Sequence, residues 1–503
     1  LPVKYSCCEH FPYSVNAAQA LAAFAQKLAR NLLGSANCGN FAVSNKPSLA
    51  SYLPPALLET LAHNKGFDRA AFEAVHASGE QVTSVRYNPA KLSLLKGDEP
   101  FPSTTQVPWC PDGRYLPQRP SFTLDPLLHA GLYYVQEASS MFLWHMLQYT
   151  TNGRAGQRVL DLCAAPGGKT TLLSAYFTNS LLVSNEVIKP RSAVLVENMT
   201  KWGTGEAVVT SNDPKDFQPL AGYFDVIVVD APCSGSGLFR RDPDAVQEWS
   251  PENVTLCSQR QQRILADIMP ALKQGGVLIY STCSYSAEED EQIADWLMQS
   301  FELEHIPVPL PAQWQVVPTT SPLKGAEGYR FYPDKIRGEG LYICAFRRKD
   351  GSVFSNRKSQ LPAAPKKETV LAREWIHPAA APYFFMQKEN LLAIPEIWQA
   401  DIALLQRHLY LRKAGVNIGA IKGNDLVPSH ELALSLLLEP GLQKAALGLD
   451  EALLYLRKKE FAPGTGGKGW ALATYRDIPL GWMKLLPNRV NNYYPTEWRI
   501  IKD

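Results

Sequence analysis

The chain has 503 residues, 46% of them hydrophobic and 19% charged, with a formal net charge of +2. That is the composition of folded domains, two or three at this length, and it excludes disorder across the whole chain. A near-neutral balance means that any nucleic-acid surface must be local, and the lack of a run of about 18 apolar residues argues against a membrane span.

The first 50 residues are set apart from the rest. Residues 14–33 are Ala-rich and weakly amphipathic, interrupted by Gln26, Lys27 and Arg30. No charged segment precedes a clean apolar core, which argues against a secretory signal. The chain opens on Leu1, and two readings of this segment stay open: a cleaved or non-native extension, or a docking helix.

From Arg158 onward, strand and helix signals alternate. Residues 158–162 read as a first strand, followed by a Gly-rich loop and a helix from Thr170. Residues 181–186 read as a second strand with a helix over 191–202 behind it, residues 207–210 as a third strand and residues 224–230 as a fourth. Ser250 as N-cap with Pro251 at the first helical position opens a long helix. It is expected to run to Lys273, where Gly275 and Gly276 end it before a fifth strand. The next helix is expected to open at Ser286, with Glu289 three residues on at capping-box spacing. Strand-like runs near Phe301 and over residues 341–346 complete the set. Regular alternation predicts an α/β fold with a doubly wound, Rossmann-like parallel sheet.

Residues 347–368 break the pattern with Arg347, Arg348, Lys349, Arg357, Lys358, Lys366 and Lys367 beside Pro362 and Pro365. They read as a basic, proline-containing linker. Beyond residue 375 come short β-like runs, such as Leu409-Tyr410-Leu411 and Trp470-Ala471-Leu472-Ala473, with aromatics and basic residues interleaved. A small α+β or β-barrel module is expected there.

In an open parallel sheet the carboxyl ends of the strands line the ligand crevice. Cys233 lies in Asp230-Ala231-Pro232-Cys233-Ser234-Gly235 and Cys283 in Ser281-Thr282-Cys283-Ser284. Each follows a short β-branched run, so both thiols should face one site. A thiolate is the natural nucleophile for an electron-poor ring carbon. Lys169, Arg240 and Arg241 are near enough in the chain pattern to lower a thiol pKa, although solvated charge is the plainer reading of the arginines. Cys163 and Cys257 read as inert small hydrophobes. Nine cysteines with no CxxC pair fit a reduced, cytoplasmic compartment rather than a disulfide framework, and no metal is expected.

The loop Cys163, Ala164, Ala165, Pro166, Gly167, Gly168, Lys169 nearly matches a Walker A loop, but Cys163 stands where the leading glycine is required, which argues against phosphate cradling. Its small residues let a backbone approach a ligand, and the helix start behind it favours a carboxylate. Glu186, Asp213 and Asp230 each close a strand. Any one alone reads equally well as a helix cap or surface charge. Three in succession facing a glycine loop point to a nucleoside cofactor with a ribose and a charged amino-acid tail.

These segments, together with Ser84-Val85-Arg86-Tyr87-Asn88, Tyr134-Val135-Gln136-Glu137-Ala138-Ser139-Ser140-Met141 and Arg241-Asp242-Pro243-Asp244, resemble the bacterial S-adenosylmethionine-dependent RNA (cytosine-C5) methyltransferases, and among them the RsmF group of 16S rRNA enzymes. The resemblance spans roughly residues 52–350, and Pro428-Ser429-His430 with Leu480-Gly481-Trp482 resembles that group's PUA-like module. It implies an extension of unknown role over 1–50, an RNA-binding subdomain over 51–150, a methyltransferase domain over 151–350, a linker over 351–375 and a PUA-like RNA-binding domain over 376–503. It implies Cys283 as nucleophile, Cys233 as the group assisting product release, and Asp230 on the N3/N4 edge of the base. It implies S-adenosylmethionine held by residues 163–169, Glu186, Asp213 and Asp230, with Arg86, Arg240 and Arg241 toward RNA. A cytoplasmic monomer with an RNA partner, most naturally rRNA, is expected. tRNA is the alternative substrate. A non-catalytic RNA-binding assembly factor is the competing class, against which the intact Cys283, Cys233, Asp230 and Lys169 speak. Pro251-Glu252-Asn253-Val254 resembles a DNA cytosine methyltransferase motif, but it falls at a helix start too close to Cys233 for that layout.

Overall fold

The computed structural model describes residues 53–502, apart from 152, 154, 353, 355–358, 463 and 465. The Ala-rich segment within residues 1–50, and Arg357 and Lys358 of the expected linker, lie outside the described residues.

Five short apolar runs pair as parallel strands: β1 (Arg158–Asp161), β2 (Leu181–Asn185), β3 (Ala207–Thr210), β4 (Phe224–Asp230) and β5 (Leu272–Thr282). Their order is β5-β4-β1-β2-β3. Both faces are covered, and period-two alternation divides the side chains between two cores. Leu160, Val183, Ile227 and Leu278 enter one, whereas Val159, Leu182, Val228 and Ile279 enter the other. Each such buried aliphatic contributes about 1.5–3 kcal/mol relative to exposure. The order reverses between β1 and β4, so the loops leaving those strands part and open a crevice.

Antiparallel strands extend both edges. β6 (Leu303–His305), β7 (Val317–Thr320), β8 (Glu327–Phe331) and β9 (Leu341–Arg348) lie on the β5 side, with Tyr342 of β9 opposite Thr282. The far edge is taken by β10 (Leu411–Ala414), where Leu411 stands opposite Thr210. This run, expected in a separate module, instead covers the exposed ladder of β3 and becomes the edge strand in its place.

Four helices flank the parallel strands: α1 (Gly168–Tyr176), α2 (Lys189–Trp202), α3 (Pro251–Ile268) and α4 (Glu291–Ser300). α3 starts as its sequence predicts, with Ser250 Oγ accepting from Asn253 N at 3.1 Å. It stops earlier than expected. Pro270 lacks the N–H that another turn would need, so residues 269–271 tighten into a 3-10 turn and β5 begins at Leu272. Gly275 and Gly276 therefore sit inside β5, where Gly275 at φ +74° accompanies a register shift against β4.

Ahead of β1, the helices Pro55–Leu61 and Arg69–Ala77 precede an antiparallel sheet in the order Thr105–Gln106, Gly113–Leu116, Thr83–Tyr87, Tyr133–Val135. After β9, the expected basic linker is largely built into the fold. Arg347 donates to Thr150 O at 3.0 Å, Arg348 to Leu272 O at 2.7 Å, and Lys366 opens the helix Lys366–Arg373. The region beyond, where a small module is expected, holds two four-stranded sheets: Pro382–Gln387, Asn390–Pro395, Val416–Lys422, Asp425–Pro428, and Lys444–Ala446, Gly469–Tyr475, Ile478–Leu486, Arg489–Asn492. The second sheet shares a core with the amino-terminal one, Tyr455, Leu480 and Met483 packing with Tyr87, Leu132 and Tyr133. Among the described residues no helix is long and apolar enough to cross a membrane.

Candidate active site

β4 ends at Asp230 and β5 at Thr282, and the turns that follow bring their cysteines together. Cys233 Sγ lies 3.1 Å from Cys283 Sγ, and both thiols are free. Backbone bonds zip the turns to each other: Ala231 N donates to Ser281 O at 2.8 Å, Gly237 N to Cys283 O at 2.8 Å, and Gly340 N to Gly237 O at 3.0 Å. A Cβ at Gly237 would stand 2.7 Å from Gly340 O and 2.8 Å from Cys283 O, so only glycine allows this approach.

Glu289 completes the clamp. Its spacing from Ser286 predicts a helix cap, but α4 begins only at Glu291 and the Glu289 side chain turns inward. One carboxylate oxygen accepts from Ser234 N at 2.8 Å and Gln261 Nε2 at 3.2 Å. The other accepts from Ser234 Oγ at 2.5 Å and Ser284 Oγ at 2.6 Å. Each serine adjoins one of the cysteines, so a single carboxylate holds both thiol-bearing turns. Burial raises the Glu289 pKa against the pull of these hydrogen bonds. The signal in the chain was a serine directly after each cysteine, with an acid close behind the second.

A cavity of about 340 Å³ opens beside the thiols, lined by Cys163, Ala164, Ala165, Pro166, Gly168 and Lys169 together with Asp230 and Cys283. Gly167, at φ +115°, turns the loop into α1. Lys169 Nζ pairs with Asp230 Oδ2 at 2.8 Å, and Ser281 Oγ donates to Asp230 Oδ1 at 2.7 Å. Burial opposes the Lys169 charge, but Asp230, and then Cys283 and Asp161, hold its pKa above the ordinary value. Asp161 is fully buried and accepts from Thr170 Oγ1 at 2.6 Å, while its Oδ1 has no hydrogen-bond partner. Burial pushes this carboxyl up to about 7. Cys163 fits the inert reading, its thiol pushed up by burial and by Asp161, Glu186 and Asp230.

The expectation that cations lower the thiol pKa fails at Cys233. Its hydrogen bond to Cys283, then burial and the Glu289 charge, push that thiol well above the ordinary range. Glu186 is buried at the end of β2, accepting from Ile188 N at 2.9 Å and lying 3.5 Å from Arg191. Asp213, like Glu186, is not among the residues lining the cavity. It caps the 3-10 turn Pro214–Leu220, accepting from Lys215 N at 3.2 Å, and pairs with Arg263 at 3.3 Å.

Two of the three arginines expected to face RNA do not. Arg86 is fully buried, donating to Gln136 Oε1 at 2.7 Å and Thr171 Oγ1 at 2.6 Å over the Trp202 ring. The Arg240 side chain is 5% exposed, donating to Glu80 O at 2.5 Å and Gly338 O at 3.2 Å, with Glu339 at 3.7 Å. Both are packed to hold loops. Arg241 alone is exposed, and it lines the cavity. Among the described residues no cluster of three or more His, Cys, Asp or Glu could hold a metal.

Three family models fall on the chain in succession. Residues 53–138 match the N-terminal domain of 16S rRNA methyltransferase RsmF, residues 148–347 match 16S rRNA methyltransferase RsmB/F, and residues 443–500 match the methyltransferase RsmF PUA domain. Residues 148–347 form a methyltransferase domain of the RsmB/F family, flanked by the RsmF-type N-terminal and PUA domains. Ribosomal RNA small subunit methyltransferase F of Escherichia coli O9:H4 (strain HS) is 29% identical over 448 residues, 84% of this chain and 90% of that protein. Its counterpart in Shigella sonnei (strain Ss046) gives the same identity and coverage. The solved structure of PH0851 aligns with a TM-score of 0.52 at 23% identity, covering 61% of this chain and 70% of that one, and so shares the fold.

An RsmB/F-family protein is an S-adenosylmethionine-dependent rRNA methyltransferase. The cleft fits that cofactor on its own chemistry. Ala164, Ala165 and Gly168 leave the loop backbone bare toward the cavity, no side chain caps α1, and Glu186 supplies a buried acid at the end of β2.

Proposed function

We propose that this protein methylates C5 of a cytosine in 16S rRNA through a covalent bond between Cys283 and C6 of the base. The observation that carries the reading is the pair of thiols 3.1 Å apart, of which Cys283 lines one cavity with the Lys169–Asp230 pair and the cofactor loop.

C5 of cytosine is a poor nucleophile on its own. Addition of the Cys283 thiolate to C6 turns the ring into an enamine-like species whose C5 can attack an electrophilic carbon. S-adenosylmethionine, when bound, supplies that carbon as a sulfonium methyl group. Asp230 meets the N3/N4 edge by accepting from the N4 amino group, its two oxygens fixed by Lys169 and Ser281, and the Lys169 cation offsets the negative charge that addition at C6 develops in the ring. A general base then takes the C5 proton, the C5–H electron pair re-forms the C5–C6 double bond, the C6–S bond breaks, and Cys283 leaves as thiolate. Cys233, hydrogen-bonded to Cys283 at 3.1 Å, assists that release. The target nucleotide must leave any helix to reach the cavity. The region over 51–150 and the PUA-like region guide the RNA, with Arg241 at the rim. Loop residues 163–169, Glu186 and Asp230 hold the cofactor. The protein acts as a cytoplasmic monomer, and the relatives' small-subunit rRNA names favour 16S rRNA over tRNA.

Transfer of labelled methyl to 16S rRNA and tRNA tests the substrate, and bisulfite mapping tests the position. Cys283→Ala should lower methyl transfer by about 10³-fold or more, in line with loss of a covalent nucleophile. Cys233→Ala should accumulate an SDS-resistant RNA adduct. SDS-resistant complexes with Cys283→Ala, and none with Cys233→Ala, would reverse the two roles.

A further inference from the structure

We propose that Gln136 binds the cofactor, its side-chain amide donating to the carboxylate of S-adenosylmethionine, and that Arg86 is the positioning residue that keeps the amide turned that way. The inference rests on reading the cleft over residues 163–169 as the cofactor's.

Gln136 directly follows the strand Tyr133–Val135 and is 5% exposed. Its Oε1 accepts from Arg86 Nε at 2.7 Å. A guanidinium has donors and no acceptor, so only the amide oxygen can face it, and the amide cannot flip. Nε2 is thereby turned away from Arg86, and it is buried with no hydrogen-bond partner. Arg86 itself is immobile: it also donates to Thr171 Oγ1 at 2.6 Å and lies 4.7 Å over the Trp202 ring.

What Nε2 faces is the start of α1. It lies 3.8 Å from the place a Cβ would take on Gly168, the first residue of that nine-residue helix. No side chain caps α1, and the first amides of a helix have no partner within it. Gln136 and Gly168 line the same cavity as Lys169 and Cys283. An orphaned NH₂ beside an uncapped helix start is a donor set for an anion with two oxygens. Lys169 is already committed to Asp230 at 2.8 Å, so neutral donors have to meet that anion. The α-carboxylate of an amino-acid tail suits such a pocket, one oxygen on the helix amides and the other on the glutamine.

The test is calorimetric titration of the full chain with two probes. S-adenosylhomocysteine carries the tail; 5′-methylthioadenosine keeps the nucleoside and sulfur and lacks it. Gln136→Glu, the same size with an acceptor in place of the donor, should weaken S-adenosylhomocysteine by about tenfold or more and leave methylthioadenosine unchanged. Gln136→Met, which removes the donor without adding charge, should move the same ligand in the same direction by less, and serves if the glutamate variant does not fold. Arg86→Met, which removes the donor that holds Oε1 and so frees the amide to flip, should also weaken S-adenosylhomocysteine selectively. Equal losses for both ligands, or undiminished S-adenosylhomocysteine affinity, would overturn the inference. So would weaker rRNA binding with the cofactor analogue unaffected. Wild-type protein that binds neither probe would sink the assignment of the cleft to the cofactor, and this inference with it.

Discussion

Around the thiols, Glu289, Asp161 and Gln136 are buried to 0%, 0% and 5% exposure; around the carboxyl-terminal sheets, Trp482, Leu480 and Tyr455 are buried to 1%, 0% and 0%. Burial is equal and the chemistry differs. In the second region Trp482 Nε1 donates to Ser429 O at 2.7 Å and Tyr455 OH to Trp482 O at 3.1 Å, while Asn417 Oδ1 and both His430 ring nitrogens are left without partners in a setting that touches no thiol or cofactor loop. In the first, Asp161 Oδ1 and Gln136 Nε2 have no hydrogen-bond partner. Apolar burial stabilises, whereas buried polar atoms cost stability, and in the first region they stand beside the reacting groups.

That contrast can be broken most forcefully at Trp482. Trp482→Ala should cost about 3–5 kcal/mol in urea unfolding, while the folded variant binds S-adenosylhomocysteine as the wild type does. Impaired binding of that ligand would mean the two regions are not separable. Glu289→Ala should cost less, about 2–3 kcal/mol for stranding Ser234 N and Gln261. It should also lower kcat by about 10²-fold through misplaced thiols, and full activity would leave the clamp purely structural.

Asp161 sharpens the comparison through pH. Burial holds its carboxyl at about 7, against an ordinary value of 3.8. Between those values the folded protein keeps a proton that the unfolded chain has released, so this group's contribution declines as pH rises through the window. Asp161→Asn, which cannot ionise, should match the wild type near pH 4 and exceed it by about 1–3 kcal/mol at pH 8. A gap independent of pH would remove the buried carboxyl from the account. The smallest effect is expected at Arg241. Arg241→Ala should change stability by less than about 0.5 kcal/mol, weaken RNA a fewfold and lower the salt slope by about one. An unchanged slope would take Arg241 off the phosphate path.

Local signals carry much of this architecture. The short apolar runs of β1 to β4, the Ser250–Pro251 helix start and the two cysteine turns are legible because neighbours in the chain decide them. Convergence of Cys233 and Cys283 is legible too, since adjacent parallel strands deliver their carboxyl ends to one crevice. Glu289 is different. Its spacing from Ser286 is the same whether it caps a helix or reaches Ser234, 55 residues away in the chain. Arg86 and Arg240 carry charges that, on the chain alone, suit RNA. Only packing shows that Gln136, Thr171, Glu80 and Gly338 have taken them. The chain by itself determined the order of elements, the crevice and the sulfur chemistry, because backbone propensity and burial pattern are short-range. Which buried polar groups are satisfied, which are left to meet a ligand, and that Leu411–Ala414 forms the far sheet edge, were decided in three dimensions, because hydrogen bonds depend on atoms brought within about 3 Å from distant parts of the chain.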